Sequence, residues 1–216
     1  MARTSSTVQP TNSPARGSPR FLLIVAVLAG LVILGTGVFL ALAFRESPRG
    51  VAGTALASAI GGPFELVDQN GKTVTDADLK GKWSLIYFGY THCPDACPTA
   101  LNDISIALSD LGAKRDAVRP VFITVDPERD TPEALKSYVM SFDAPILALT
   151  GTPEQVAKAA KGYRVYYAKH PEAGGDYSMD HSSVIYVMDP DGRFTASFTH
   201  ESAPEQISER LKKLIG

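Results

Sequence analysis

The stretch WSLIYFGYTHCPDACP, residues 83–98, contains the only two cysteines of the 216-residue chain. Its first part, Trp83–Tyr87, is a continuous apolar run, which is typical of a central strand that is covered on both faces. Pro98 suits the first turn of a helix, so Cys97 is expected at or next to the helix start. Cys93 is then expected on the loop one turn earlier. The stretch therefore predicts a strand, a loop and a helix, with both thiols where the strand ends.

Strands and helices alternate on both sides of this unit. Before it, the sequence predicts a hairpin with its turn at Asn70-Gly71. After it, the predicted elements are a helix carrying Leu101, Ile104, Leu108 and Leu111, a strand over 121–125, a helix from Thr131-Pro132, a strand over 146–149, a helix from Thr152-Pro153, a strand over 184–188 with its return over 193–198, and a last helix opened by a capping box at 202–205. The segment HPEAGGDYSMDH reads as an irregular loop. This order predicts one α/β domain over residues 62–216, with a mixed central sheet and a thioredoxin-like fold.

A separate apolar segment precedes this domain. Residues 21–44, FLLIVAVLAGLVILGTGVFLALAF, carry no charge, and about 20 apolar residues are enough to cross a bilayer. A buried core helix would show a polar face, which this segment lacks. A cleavable signal peptide is the competing interpretation, because Ala41-Leu42-Ala43 and Ala55-Leu56-Ala57 have the small-x-small form of a peptidase site. We favour one uncleaved transmembrane helix, joined to the domain by a flexible tether over residues 45–61.

The distribution of charge bears on location and partners. Residues 1–20 contain three arginines and no acid, and two arginines follow the apolar segment, so the N-terminal tail is expected in the cytoplasm. The domain would then lie in the periplasm, held at the inner membrane by a single pass. The mitochondrial intermembrane space is the alternative location. Beyond residue 44 the chain has 18 basic and 23 acidic residues, and a slightly acidic domain argues against nucleic acid as the partner.

The cysteine pair admits three interpretations. A structural disulfide between Cys93 and Cys97 would close a loop too short to add much stability. A dithiol–disulfide redox pair is the second interpretation, although redox pairs usually have two residues between the cysteines and this pair has three. A metal site is the third, and it needs at least one further ligand from elsewhere in the chain.

Histidine is the residue type that fits the third interpretation, and the chain has four. His92 adjoins a cysteine, but immediate neighbours usually point in different directions, and His170 and His200 lie in polar segments. His181 stands directly before the predicted strand VIYVM, which in a thioredoxin-like fold enters beside the cysteine-bearing helix start. Two thiolates and one imidazole form a soft ligand set that favours Cu(I) and tolerates Cu(II), whereas structural zinc takes four protein ligands.

Three motifs together resemble the Sco (SenC) family: YTHCPDACP after a buried strand, VDPERDTP at residues 125–132, and DHSS before the last hairpin. The resemblance covers about residues 63–214. It implies a membrane-anchored, thioredoxin-like copper metallochaperone that delivers copper to the dinuclear copper centre of cytochrome c oxidase. It also implies that one copper ion is bound by Cys93, Cys97 and His181.

The resemblance implies partners and supporting residues as well. The client would be the copper-bearing subunit of the oxidase, with another copper chaperone or a thiol reductase as further partners. The alternative function is a thiol–disulfide oxidoreductase that acts on the oxidase's copper-site cysteines through Cys93 and Cys97, so enzymatic activity stays open. Asp126 is expected either to shape the metal site and its thiol reactivity or only to form a turn. Asp180 is expected to orient His181, as carboxylates beside metal-binding histidines often do.

Overall fold

The computed structural model describes residues 60–216 and, before them, the helical positions 20, 28, 30, 31, 34 and 35. The chain divides into two compact units, Met1–Arg49 and Gly50–Gly216. Within the described part of the chain, no helix has both the length and the apolar character needed to cross a membrane. The predicted N-terminal tail, transmembrane helix and tether fall almost wholly outside the described residues.

The domain alternates between strands and helices. In chain order its elements are β1 (Glu65–Asp68), β2 (Thr73–Thr75), β3 (Trp83–Gly89), α1 (Ala96–Asp110), β4 (Val118–Thr124), α2 (Pro132–Val139), β5 (Leu147–Thr150), α3 (Pro153–Gly162), β6 (Tyr167–Pro171), β7 (Tyr177–His181), β8 (Val184–Met188), β9 (Phe194–Thr199) and α4 (Pro204–Ile215). Short 3-10 helices cover Asp76–Leu79, Gly112–Ala117 and Ala173–Gly175.

Seven strands form one mixed sheet in the order β2-β1-β5-β4-β3-β8-β9, which confirms the predicted sheet type. The central strands β3 and β4 are parallel, with their last residues Gly89 and Thr124 paired. Strand β5 continues the parallel set, and β8 runs antiparallel to β3. Six of the seven β3 residues are buried, as the apolar run predicts for a strand covered on both faces. The carboxyl ends of β3 and β4 therefore meet at one edge of the sheet, where the cysteine loop begins.

Helix starts follow the predicted caps in two cases and differ in one. Thr131 and Thr152 are N-caps whose side chains accept hydrogen bonds from Ala134 N and Gln155 N. The last helix begins one residue later than its predicted capping box. Its N-cap is Ala203, and the Gln206 side chain accepts a hydrogen bond from Ala203 N at 3.0 Å. A proline at position 204 accounts for this shift, because proline is favoured at the first helical position.

A hairpin replaces the irregular loop that the sequence predicts at HPEAGGDYSMDH. Strands β6 and β7 pair antiparallel as a separate two-stranded sheet, with Tyr167 opposite His181. Gly174 and Gly175 allow the turn, since their φ angles of +86° and +89° are left-handed. His181 is therefore the last residue of a strand and does not lie in a loop.

The described domain begins at the end of the sheet opposite the cysteines. Gly61 N donates a hydrogen bond to Gly162 O at 3.0 Å. A Cβ atom on Gly61 would lie 3.0 Å from the Met188 side chain. Met188 pairs with Ser84 near the amino end of β3, whereas the cysteines follow its carboxyl end.

Candidate metal centre

Both cysteines lie where β3 leads into α1. Helix α1 begins at Ala96, so Cys97 occupies its second position and is buried, while Cys93 lies half-buried on the loop. Both are free thiols, and the Cys97 backbone N–H donates to Cys93 Sγ at 3.4 Å. The end of β3 passes very close to Cys97. A Cβ atom on Gly89 would lie only 2.6 Å from Cys97 Sγ and 2.9 Å from the Phe122 ring. Glycine is therefore the residue that this approach allows.

His181 reaches the cysteines from the end of β7. Its Nε2 lies 3.3 Å from Cys97 Sγ. The imidazole stands edge-on between the rings of Tyr87 and Tyr90, with both ring centroids 5.9 Å away. The three ligand atoms, one from each of Cys93, Cys97 and His181, all lie within 4.8 Å of one another. That span is close to twice a metal–sulfur bond of about 2.3 Å, so the three side chains fit around a single ion.

The two thiols differ in their readiness to ionise. The hydrogen bond with Cys97 lowers the pKa of Cys93 to about 3, with further help from His181 and against the effect of burial. The same hydrogen bond and the deeper burial of Cys97 raise the pKa of that thiol well above its ordinary value. Cys93 is therefore the thiol that ionises first. A metal ion that binds both sulfurs has to displace any proton that Cys97 keeps.

Asp126 lies two residues after the end of β4 and is only 3% exposed. Its carboxylate accepts hydrogen bonds from Arg129 Nε at 2.5 Å and from the Tyr177 hydroxyl at 2.7 Å. Its backbone carbonyl accepts from Asp130 N at 3.0 Å, which closes the local turn. The backbone of Asp126 thus makes the predicted turn, and its side chain reaches the strand that ends at His181. Its predicted role in shaping the metal site stays a prediction.

Asp180 does not make the contact that the sequence predicts. Its carboxylate lies 2.8 Å from His170 Nε2, whereas His181 Nδ1 lies 3.4 Å from the Ser182 carbonyl. Successive residues of a strand point to opposite faces, so Asp180 and His181 diverge. His170 is exposed, as a histidine in a polar segment is expected to be, but it lies in strand β6 with the Asp180 carboxylate beside it.

Asp130 supports the cysteine loop, although it was not among the predicted site residues. It is fully buried, and its carboxylate accepts hydrogen bonds from Thr91 N at 3.0 Å, Thr91 Oγ1 at 2.6 Å and Thr124 Oγ1 at 2.6 Å. Burial raises the pKa of Asp130, and the bonds from Thr124 and Thr91 oppose that rise. Thr131 is the residue that caps α2. The third acid of VDPERD was the available signal, but its partner Thr91 lies 39 residues away.

Comparisons with known proteins identify the family of this chain. The SCO1/SenC family model matches residues 52–216. Protein SCO1 homolog 1, mitochondrial, from Arabidopsis thaliana is 42% identical over 175 residues, which cover 81% of this chain and 51% of that protein, so the chain spans about half the length of this relative. The copper-bound structure of Bradyrhizobium japonicum ScoI is 54% identical with a TM-score of 0.68, covering 72% of this chain and 99% of that one.

A more distant solved structure belongs to a protein with a disulfide switch. BsSco, a member of the Sco family of cytochrome c oxidase assembly proteins in which a disulfide switch was identified, is 27% identical with a TM-score of 0.59. The match covers 73% of this chain and 94% of BsSco. The predicted fold and family are thereby confirmed, and the chain belongs to the SCO1/SenC family.

Proposed function

We propose that this protein is a copper metallochaperone that binds one copper ion through Cys93, Cys97 and His181 and delivers it to the dinuclear copper centre of cytochrome c oxidase. The observation that carries the proposal is the convergence of these three ligand atoms within 4.8 Å of one another. A relative that is 54% identical has been solved with copper bound, which supports copper as the cargo.

The chemistry of the three donors favours copper over the commoner biological metals. Two sulfurs and one imidazole are soft and intermediate ligands that suit Cu(I), and the imidazole makes Cu(II) tolerable. A structural zinc ion takes four protein ligands, and within the described residues only these three side chains form such a cluster. Cys93 forms the accessible side of the site and Cys97 the buried side. A client thiolate would therefore approach the ion from the side of Cys93.

The proposed setting is a membrane. Residues 21–44 would anchor the chain in the inner membrane by a single pass, with residues 1–20 in the cytoplasm and the domain in the periplasm. The corresponding arrangement in mitochondria would place the domain in the intermembrane space. A tether over residues 45–61 could extend about 55 Å when stretched, which lets the site reach a client in the same membrane. The client is the copper-bearing subunit of the oxidase, and another copper chaperone would supply the ion.

A second function is favoured by the state of the thiols. The Cys93 thiolate would attack a disulfide of the client's copper site, and Cys97 would resolve the mixed disulfide. The products are a Cys93–Cys97 disulfide and a client reduced by two electrons, to which the proton of Cys97 is transferred. A thiol reductase would restore the pair. The lowered pKa of Cys93 and the two free thiols support this reaction.

A transfer assay tests the proposed function. The reduced full chain is loaded with Cu(I) in mild detergent and mixed with the metal-free, reduced copper domain of the oxidase subunit. We expect one copper ion per chain before mixing and, after the two proteins are separated, copper bound to the oxidase domain. Its visible absorption should appear only after one-electron oxidation of the dinuclear centre by added ferricyanide, because Cu(I) itself is colourless. Variants Cys93→Ser and Cys97→Ser should bind copper weakly and transfer none. Tight binding without transfer would indicate a copper sensor or adaptor and contradict the chaperone role.

A further inference from the structure

The loop between β4 and α2, residues 126–131, contacts both segments that carry the proposed ligands. We refer to it as the brace loop. Its two carboxylates, Asp126 and Asp130, are both buried, and backbone hydrogen bonds from Arg129 N and Asp130 N to Asp126 O keep the loop compact. One short loop with four charged residues therefore lies between the cysteine loop and the β6–β7 hairpin.

The contacts to the hairpin centre on Arg129 and Tyr177. The Arg129 guanidinium lies 3.6 Å from the centroid of the Tyr177 ring, and its Nη1 donates to Tyr177 O at 2.9 Å and to Asp176 Oδ1 at 3.1 Å. The Lys169 ammonium lies 3.7 Å from the same ring and pairs with Glu128 at 2.7 Å. Cation–π contacts and charge-assisted hydrogen bonds are among the stronger polar interactions. The brace loop thus holds the hairpin through the first residue of β7, and His181 is the last residue of that strand.

The hairpin depends on such contacts because it has little support of its own. It forms a separate two-stranded sheet, and among its strand residues only Met179 is buried. An isolated two-stranded hairpin is at best marginally stable in water. The position of the His181 imidazole therefore depends on what holds β7 against the rest of the domain.

The hydrogen bonds to the cysteine loop are made by Asp130 alone, whereas the Arg129 guanidinium lies 5.9 Å from the Tyr90 ring centroid, at the outer limit of about 6 Å for a cation–π contact. Its three hydrogen bonds join Thr91, two residues before Cys93, to Thr124 at the end of β4. Among the hydrogen bonds of the described residues, Asp130 makes none to the hairpin, and Arg129 makes none to the cysteine loop. The two halves of the proposed site are thus held by different side chains of the same loop.

We infer that the brace loop positions the metal ligands in two separable ways: Arg129, with Asp126, positions His181 through Tyr177, and Asp130 positions the cysteines through Thr91. The inference rests on the proposed function as a copper-binding protein. Neither Arg129 nor Asp130 binds the ion. Each acts by holding a segment that does, so loss of either should affect only its own half of the site.

Hydrogen exchange of the metal-free full chain tests the structural part of the inference without copper. In Arg129→Met, we expect the backbone amides of β6 and β7 to exchange about tenfold to hundredfold faster, and those of β3 to exchange at the parent rate. Tyr177→Phe, which removes only one oxygen, should accelerate the same amides to a smaller extent. Arg193→Met is the matched control, because Arg193 pairs with Asp189 and Asp191 in the β8–β9 turn. Unchanged exchange of the hairpin in both Arg129→Met and Tyr177→Phe would overturn the inference.

A double-mutant cycle with Cu(I) tests the separation of the two halves. Affinities are measured by competition with bicinchoninate, in the parent and in His181→Ala. We expect Arg129→Met to weaken Cu(I) binding about tenfold in the parent and less than twofold in His181→Ala, because its effect passes through the imidazole. Asp130→Asn should weaken binding about tenfold in both backgrounds. An equal effect of Arg129→Met in both backgrounds would overturn the inference.

The two readouts separate failure of the inference from failure of the proposed function. If the parent chain binds Cu(I) and loses it in Cys93→Ser, the proposed function stands whatever the cycle shows. If the parent does not bind Cu(I), the copper role of the brace loop fails together with the proposed function. The exchange of the hairpin then still decides whether Arg129 holds β7 in place.

Discussion

Replacing Gly89 by alanine tests how closely the end of β3 packs against the cysteines. A Cβ at this position would lie 2.6 Å from Cys97 Sγ, 2.9 Å from Phe122 Cε2 and 3.2 Å from Tyr87 Cε1. All three side chains are completely buried, so none can move into solvent. An ordinary contact needs about 3.5–4.0 Å, so the sulfur has to shift by about 1 Å. Overpacking of this kind destabilises a protein by about 1–3 kcal/mol. We expect a loss of about 3 kcal/mol, because two of the three distances are below 3.0 Å, which Cβ atoms in proteins almost never show.

The assay combines urea unfolding of the metal-free chain with Cu(I) competition by bicinchoninate. A shift of about 1 Å exceeds the tolerance of about 0.2 Å in a metal site, so Cu(I) affinity should fall at least tenfold. Gly71→Ala is the control, because Gly71 has a φ of +81° with no atom within 4 Å of an added Cβ. It should lose about 1 kcal/mol of stability through backbone strain and bind Cu(I) normally. The reasoning is refuted if Gly89→Ala is as stable as the parent to within about 0.5 kcal/mol and binds Cu(I) equally well.

Three further predictions follow from the described contacts. Tyr87→Phe should leave the free energy of unfolding in urea unchanged or raise it by about 1 kcal/mol, because the buried Tyr87 hydroxyl has no hydrogen-bond partner among the described residues. A loss of about 1 kcal/mol or more would contradict this and show that the hydroxyl makes a hydrogen bond. Cu(I) uptake by the reduced chain should release one proton at pH 7, because the pKa of Cys93 is lowered and that of Cys97 is raised. The Cu(I) affinity should then rise about tenfold per pH unit. Release of two protons in an indicator assay would contradict a single protonated thiol. On α1, Leu101→Ala should cost about 3 kcal/mol in urea unfolding because Leu101 is buried, while Ile106→Ala, at a 41% exposed position, should cost less than about 1 kcal/mol; equal losses would contradict the helix orientation.

The central part of the fold was predictable because local sequence and burial agree there. Strands β3, β4 and β8 are buried in the structure and appear as apolar runs in the sequence. The caps at Thr131 and Thr152 were predictable because each precedes a proline that suits the first helical turn. The convergence of the cysteines with His181 could be inferred from the expected fold, in which the strand after His181 enters beside the cysteine-bearing helix start.

The hairpin and the brace loop could not be predicted from pattern alone. Strands β6 and β7 together have a single buried residue, Met179, so no face has to be apolar and no alternation marks them. The link from Asp130 to Thr91 spans 39 residues, and that from Arg129 to Tyr177 spans 48. Contacts of this kind arise only when the fold brings distant segments together. Asp180 is next to His181 in the sequence, which suggested a contact between their side chains. Both lie in strand β7, where successive side chains point to opposite faces, so the contact does not form.

X-ray absorption of the Cu(I)-loaded full chain tests the central claim most directly, because it reports the atoms bound to the ion. The account predicts two sulfur neighbours at about 2.3 Å and one nitrogen neighbour at about 2.0 Å, the distances typical of thiolate and imidazole ligands. In His181→Ala the nitrogen should disappear and the sulfurs should remain. A spectrum of the parent chain that contains two sulfurs without nitrogen, and that is unchanged in His181→Ala, would contradict the claim that Cys93, Cys97 and His181 together bind the copper ion.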